Sequence, residues 1–172
     1  MGDVKTSTPV RLPRFFRSAV LLAAVFFGSS GIALADTRWA TLEAIHQLEN
    51  PRNLTRPGKH GELGAYQFRP ATWRLHTKIP FSQALKRDVS DQVAVLHYEW
   101  LKRGLERADV PATPYNIALA WNSGLDAVTL GRSPRVAHDY ATRAATLASA
   151  IAKTAREREK AVAESRLLAS AQ

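Results

Sequence analysis

The segment WATLEAIHQLENP (residues 39–51) has the pattern of an amphipathic helix with an abrupt end. Its apolar residues recur every three or four positions, and Pro51 ends the pattern because the residue before a proline is disfavoured in the helical region. At about 100° per residue, Glu49 falls about 20° from Leu42, inside the apolar arc. We therefore expect a helix over about 37–49 that turns a carboxyl group inward at its last residue.

An inward carboxyl group at a helix end is suited to acid catalysis. Burial beside apolar groups disfavours the charged form, so it raises the pKa of the group and keeps it protonated near neutral pH. The alternative is that Glu49 simply reaches water at a frayed helix end. Periodicity by itself leaves both interpretations open.

Gly and Pro punctuate the sequence that follows, and no run alternates strictly between apolar and polar residues. A loop rich in Gly, Pro and basic residues is expected to about residue 63, and an extended stretch at 64–68. Pro70 suits the first turn of a short helix, and Ser90 is expected to cap a longer one. His97 lies on the apolar stripe of that helix, and we expect it to be a core residue rather than a ligand.

The C-terminal part of the chain is also predicted to be helical. Thr113-Pro114 is typical of a helix start, and Gly124 of a helix end. An Ala-rich helical stretch follows and leads into residues 151–172, where acidic and basic residues are mixed. This last segment is predicted to be a charged tail, helical or disordered, on a domain that is mainly α with little or no sheet.

The N-terminus has the pattern of a secretory signal, in which basic residues precede an apolar run and a small-residue cleavage site. The basic residues are Lys5, Arg11, Arg14 and Arg17. The apolar run covers residues 18–35 and closes with Ala33-Leu34-Ala35, so residues 1–35 are predicted to be removed. We expect the mature chain to begin at Asp36, to lie in the periplasm or outside the cell, and to keep no stable membrane span. An uncleaved membrane anchor is the alternative, which the Gly-Ser-Ser-Gly interruption at 28–31 weakens.

The length and composition of the mature chain indicate one exported domain that has no disulfide bond. Of the 172 residues, 137 remain after residue 35, the usual size of one domain. There is no cysteine, so neither a disulfide nor a thiol nucleophile is available. Removing the leader's four basic residues and Asp3 from the chain's 24 basic and 15 acidic residues leaves a net charge of +6.

The basic excess is compatible with an anionic partner or with no function. An exported protein meets membranes and wall polymers more readily than nucleic acid. The Lys and Arg residues are scattered through loops and mixed with acids, without the single aromatic-interleaved stripe that is typical of nucleic-acid binding. We therefore expect no nucleic-acid partner.

Three blocks of residues resemble the signature of soluble lytic transglycosylases and goose-type lysozymes. They are QLENP, GAYQF and PAT at 47–51, 64–68 and 70–72, then AWNSGLDAVTLG at 120–131, and DYATR at 139–143. In that family a Glu-Ser-like pair precedes a G-L-M-Q-like turn by about 15 residues, and here Glu49 precedes Gly64 by 15. The chain departs from the pattern at Asn50 in place of Ser, at Ala65-Tyr66 in place of Leu-Met, and at Trp121 in place of Tyr.

The resemblance implies a lysozyme-like domain over residues 36–150, with Glu49 as the catalytic acid. It also implies that Gln67 and Asn122 contact the sugar or its N-acetyl group, and that Tyr140 lines the cleft beside Glu49. Tyr66 and Trp121 have flat faces that can pack on sugar rings, with core packing as the alternative.

The implied reaction cuts peptidoglycan glycan strands between N-acetylmuramic acid and N-acetylglucosamine and leaves a 1,6-anhydro-muramyl end, with no metal or cofactor. Glu62 offers a candidate second carboxylate, which would make the protein a hydrolysing lysozyme. The alternative for Glu62 is a solvated loop charge. A binding or scaffold protein on the same fold, without catalysis, is the competing class of function.

We predict that the exported protein begins at Asp36, because Ala33-Leu34-Ala35 has the small-residue spacing that signal peptidases cleave. Intact-mass spectrometry of the protein recovered from a bacterial host measures this directly. A mass that retains residues 1–35 in a membrane fraction would identify an uncleaved anchor instead.

Overall fold

The computed structural model describes the backbone of residues 29–170 and the side chains of residues 37–170. This part of the chain contains six α-helices and one 3-10 helix. They are α1 (Ser29–Glu49), α2 (Pro70–His76), the 3-10 helix (Phe81–Leu85), α3 (Arg87–Arg107), α4 (Pro114–Ser123), α5 (Leu125–Thr129) and α6 (Arg135–Ser170). The predicted class, mainly α with an extended C-terminal helix, is confirmed.

The predicted secretory leader lies largely outside the described residues, and its cleavage remains a prediction. The helix expected near Thr37 begins at Ser29, because residues 32–35 (Ile-Ala-Leu-Ala) continue the helix without a breaker. Its end at Glu49 is as predicted. Of the helices that the structure describes, none has the length and apolar character needed to cross a membrane.

The long helix α6 packs along α1 and α4. Its buried positions are Ala137, Tyr140, Ala141, Ala144 and Ala148. Because alanine side chains are short, they allow the three helices to approach closely and leave one large side chain, Tyr140, in the contact. From Arg156 to Ser170 every residue of α6 is exposed, so the predicted charged tail is helical and projects from the domain.

The main core lies where α1, α3 and α4 meet the 64–68 segment. Its fully buried large side chains include Trp73, Tyr66, Leu42, Ile45, Leu101, Leu105 and Ile117. The Trp73 indole donates a hydrogen bond to the Ile79 carbonyl oxygen at 2.7 Å, which satisfies its polar atom inside the core. The apolar stripes predicted from helical spacing therefore converge on one interior.

The prediction of an extended stretch at 64–68 is wrong. Leu63 and Phe68 pair as an antiparallel bridge, with both backbone hydrogen bonds at 3.0 Å, and residues 64–67 form a tight turn between them. Gly64 has φ +79°, and a Cβ atom there would collide with the carbonyl oxygen of Ala84. The turn forms because only glycine satisfies both conditions.

Ser90 is not a helix cap, since α3 begins three residues earlier at Arg87. The chain leaves the 3-10 helix at Lys86 in an extended conformation, and α3 starts directly after it. Ser90 is consequently fully buried, and its Oγ has no hydrogen-bond partner among the described residues. The cap predicted at Thr113 is confirmed, because its side chain accepts a hydrogen bond from the Asn116 N–H at 3.2 Å.

Replacing Gly64 by alanine should cost more than about 4 kcal/mol of unfolding free energy, because backbone atoms must move to admit the methyl group. Gly61 is the matched control, with the same φ of +79° and nothing within 4 Å of an added Cβ. Gly61→Ala should cost only about 1 to 2 kcal/mol, the penalty of the left-handed conformation. Urea unfolding of both variants measures the difference, and equal losses would contradict the proposed collision.

Candidate active site

A groove crosses the C-terminal end of α1. It consists of two adjoining cavities of about 520 and 420 Å³. Both cavities are lined by Glu49, Gly58, Lys59 and Gln67. Each cavity falls in the size range of small-molecule sites, so the pair provides a continuous site with Glu49 at its middle.

The Glu49 carboxyl group is largely withdrawn from water, as the apolar arc predicts. Its Oε1 accepts a hydrogen bond from the Tyr140 hydroxyl on α6, with the two oxygens 2.9 Å apart. Burial raises the pKa of Glu49; the hydrogen bond from Tyr140 opposes the rise, and the nearby charge of Glu62 adds to it. The net effect favours the protonated form, which a general acid requires.

Asn50 fixes the chain directly after Glu49. Its side-chain amide is buried, and Nδ2 donates to the carbonyl oxygens of Leu54 at 2.9 Å and Gly64 at 3.1 Å. Its Oδ1 accepts from the Leu54 N–H at 2.8 Å. The residue at which the chain departs from the family pattern therefore connects the end of α1 to both the following loop and the 64–67 turn.

Gln67 and Asn122 both reach the groove, where the sequence predicts sugar contacts. Gln67 adopts φ +46°, and its Nε2 donates to the Gly64 carbonyl oxygen at 3.0 Å. Its Oε1 lies against Gly58, where a Cβ atom would stand only 2.8 Å away. Asn122 is exposed in the larger cavity, and its amide forms no hydrogen bond within the described part of the chain. Its donors and its acceptor are therefore open to a ligand.

The two predicted aromatic contacts have different outcomes. Trp121 is half-buried, lines the larger cavity and packs against Phe68 with ring centroids 5.5 Å apart. Tyr66 is fully buried, lines neither cavity, and donates from its hydroxyl to Asp91 at 2.6 Å. The predicted sugar contact of Tyr66 is therefore wrong. The turn at 64–67 directs its ring into the core.

Tyr140 lies beside Glu49, as predicted, but it lines neither cavity of the groove. Its ring is buried among Ala118, Leu119 and the alanines of α6. Only its hydroxyl group contacts the site, by the hydrogen bond that it donates to Glu49. Tyr140 is thus a positioning residue for the carboxyl group rather than part of the cleft wall.

Glu62 lines the larger cavity, where its charge acts on Glu49. Its Oε2 accepts from the His60 N–H at 2.8 Å, and its Oε1 accepts from Arg69 at 3.3 Å. Burial acts to raise the pKa of Glu62, but these hydrogen bonds outweigh it and lower the pKa. The two carboxyl groups of the groove therefore differ, since Glu49 favours the protonated form and Glu62 the ionised form.

His97 is a buried core residue, as predicted, although one side of it borders the larger cavity. Its Nδ1 lies 2.9 Å from Nε2 of His76, and its ring stacks on Trp100. Burial, with a smaller effect of His76, lowers the pKa of His97 to about 3, so the ring is neutral at neutral pH. Residues 37–170 contain no group of three or more His, Cys, Asp or Glu side chains that could hold a metal ion.

Sequence reasoning missed two residues that shape the groove. In the sequence Asn50 differs from the pattern that the chain resembles, and its role as a loop anchor depends on the burial of its amide directly after the helix end. In the sequence Gly58 is one of several glycines of a predicted loop. In the structure a Cβ atom at this position would stand 2.7 Å from the Glu62 carboxylate and 2.8 Å from Gln67. Neither contact follows from local sequence, because each joins parts of the chain that meet only after folding.

No family model, curated protein or solved structure matches this chain. The groove itself therefore carries the functional argument. It combines a carboxyl group whose pKa is raised, a second carboxyl group whose pKa is lowered, two side-chain amides and part of an indole ring. Such a set can protonate a leaving oxygen and bind an amide-bearing sugar.

Glu49→Gln should stabilise the protein at neutral pH, because it replaces a carboxyl group whose charge is disfavoured by burial. The folded-state pKa of Glu49 is raised above its ordinary value of 4.5. The stabilisation should therefore be absent below pH 4.5 and grow as the pH rises through the folded-state pKa. Urea unfolding at several pH values measures it.

Glu62→Gln is the control, and the opposite sign is expected. The pKa of Glu62 is lowered in the folded state, so its carboxylate stabilises the protein above pH 4.5 and this contribution is lost on acidification. A Glu49→Gln variant that is less stable than the wild type at neutral pH would contradict the assigned environment.

Proposed function

We propose that this protein is a peptidoglycan lytic transglycosylase with a lysozyme-like domain. It cuts the bond between N-acetylmuramic acid and N-acetylglucosamine and leaves a 1,6-anhydro-muramyl end. The observation that carries the proposal is the partly buried Glu49 carboxyl group, whose pKa is raised, at the centre of a groove that also presents Gln67 and Asn122. The similarity of these residues to the lytic transglycosylase signature supports the same assignment.

The reaction uses Glu49 twice. Its carboxyl group first donates a proton to the glycosidic oxygen, so the bond to the muramyl C1 breaks and positive charge develops on that carbon. The resulting Glu49 carboxylate then removes the proton of the muramyl 6-hydroxyl, whose oxygen attacks C1 and closes the anhydro ring. Glu49 ends protonated, as it began, and no water is consumed.

Tyr140 supports the middle of this cycle. Its hydroxyl already donates to Glu49 Oε1, and a hydrogen bond to a carboxylate is stronger than one to a neutral carboxyl group. It therefore stabilises the state in which Glu49 has given up its proton. Burial favours the protonated state in which the cycle begins. Because burial and the Tyr140 hydrogen bond shift the pKa of Glu49 in opposite directions, Glu49 can donate a proton in the first step and accept one in the second.

The groove suits an N-acetylated sugar. The Gln67 Oε1 and the Asn122 amide can accept and donate hydrogen bonds to an acetamido group. Trp121 presents part of its indole to the same cavity, where it can pack on the apolar face of a sugar ring. Export to the periplasm or beyond would bring this site to its polymer.

Hydrolysis is a second candidate outcome, because the Glu62 charge acts on Glu49 across the larger cavity. Opposed pKa shifts on two carboxyl groups are the usual sign of an acid and a base. Both oxygens of Glu62 already accept hydrogen bonds from neighbouring groups, however, which favours a structural role in holding the loop. A non-catalytic wall-binding role is disfavoured, because the acid and both amides are present in the groove.

The test is mass spectrometry of fragments released from purified peptidoglycan by the wild type, Glu49→Gln and Glu62→Gln. The wild type should release anhydro-muramyl ends, and Glu49→Gln should be slower by about 10² to 10⁴, the usual contribution of a general acid. Glu62→Gln should retain the anhydro product.

Reducing ends that disappear in Glu62→Gln would assign hydrolysis instead. Wall binding without release by the wild type would contradict an enzymatic function and support the binding-module alternative.

A further inference from the structure

Two exposed cations border the smaller cavity of the groove. Arg56 and Lys59 both line it, and both are exposed. Neither forms an ion pair within the described part of the chain. Arg69 on the other side of the groove differs, because it pairs with Glu62 at 3.3 Å.

Glu49 is the single carboxyl group that lines this cavity, and its Oε1 already accepts a hydrogen bond from Tyr140. Two cations face one carboxyl group, so the wall carries excess positive charge in either protonation state of Glu49. A concave wall with two positive charges concentrates positive potential and attracts an anionic ligand group. The larger cavity shares Lys59 but also contains the Glu62 carboxylate, which pairs with Arg69. The smaller cavity has Arg56 in addition to Lys59, and Glu49 is the single carboxyl group in its lining.

The loop that carries the cations is held at both ends. Asn50 binds the backbone of Leu54 before it, and the Gly58 N–H donates to the Glu62 carbonyl oxygen at 2.9 Å after it. Pro57 restricts the backbone between Arg56 and Gly58. These contacts fix the backbone from which the two side chains extend beside the groove.

We propose that Arg56 and Lys59 form a carboxylate-binding subsite that recognises the acidic peptide carried by the glycan strand next to the bond that is cut. This inference rests on the proposed function. The N-acetylated sugars of a peptide-bearing strand are neutral, because each muramyl lactyl carboxyl group is held in the amide bond to a peptide, whereas the peptides themselves carry carboxylates. An Arg guanidinium matches a carboxylate with two parallel hydrogen bonds, and a Lys ammonium adds a second charge.

The test measures binding with the cleavage step removed. Exported protein carrying Glu49→Gln is titrated calorimetrically with soluble glycan strands freed of phosphate-bearing polymers. The strands either keep their peptides or are stripped by an amidase, after which the lactyl carboxyl groups that the amidase exposes are converted to neutral primary amides. The peptide-bearing strands should bind about tenfold more tightly, the total for two ion pairs of this kind. Adding Arg56→Gln and Lys59→Gln should abolish that preference and leave binding to stripped strands unchanged.

The matched control combines Arg52→Gln with Lys78→Gln. These two substitutions remove the same charge from exposed residues that line neither cavity of the groove, and they should keep the preference. Equal losses in the two double variants would show general charge attraction and overturn the subsite. A loss seen only when phosphate-bearing polymers are left on the strands would also overturn it, since the anion would then be a phosphodiester.

The binding data also separate the failure of the subsite from the failure of the proposed function. Equal binding to both kinds of strand by the Glu49→Gln protein would overturn the peptide subsite alone. No binding to either kind of strand would overturn the subsite together with the glycan-cleaving function on which it rests.

Discussion

The buried amide of Asn50 is the contact on which the geometry of the groove depends. Its three hydrogen bonds link the end of α1 to the loop that begins at Leu54 and to the turn at Gly64. Because Asn50 directly follows Glu49, the same contacts fix the acid relative to both walls of the groove. A smaller hydroxyl side chain offers one donor where this amide uses two, so the departure from the family pattern has a structural consequence.

Two opposing effects, burial and the Tyr140 hydrogen bond, set the protonation of Glu49. Withdrawing a carboxyl group from water costs free energy whenever it is charged, and the raised pKa is the measure of that cost. Tyr140 offsets part of the cost from α6, which is anchored along α1 and α4 by small side chains. The helix furthest from Glu49 in sequence thus acts on the protonation of Glu49.

Local sequence was sufficient for the helices whose signals are local. The end of α1 at Glu49, the proline start of α2, the Thr113 cap and the glycine at 124 each depend on a residue and its immediate neighbours. The inward direction of Glu49 also followed from helical spacing. The prediction of a cap at Ser90 is wrong because local sequence does not distinguish two cases. A serine before an apolar stripe occurs both at the start of a helix and inside a buried helix, and Ser90 lies inside α3.

The remaining features needed the tertiary structure. Tyr66 was expected in the groove, but the direction of its ring depends on a tight turn whose geometry is fixed by contact of Gly64 with Ala84. The hydrogen bond from the Tyr66 hydroxyl to Asp91 joins residues that are 25 positions apart in the sequence. In the sequence Arg56 and Lys59 likewise look like scattered surface charge, because local sequence does not show that they border one cavity beside Glu49.

The most direct test of the central claim is the pH dependence of glycan cleavage by the wild type and by Tyr140→Phe. If Glu49 acts as a protonated general acid, cleavage must fall as the pH rises through its pKa. Removing the hydroxyl takes away a hydrogen bond that lowers this pKa, so the fall should move to higher pH in Tyr140→Phe. A fall at the same or lower pH, or the absence of cleavage in the wild type, would contradict the assignment of Glu49.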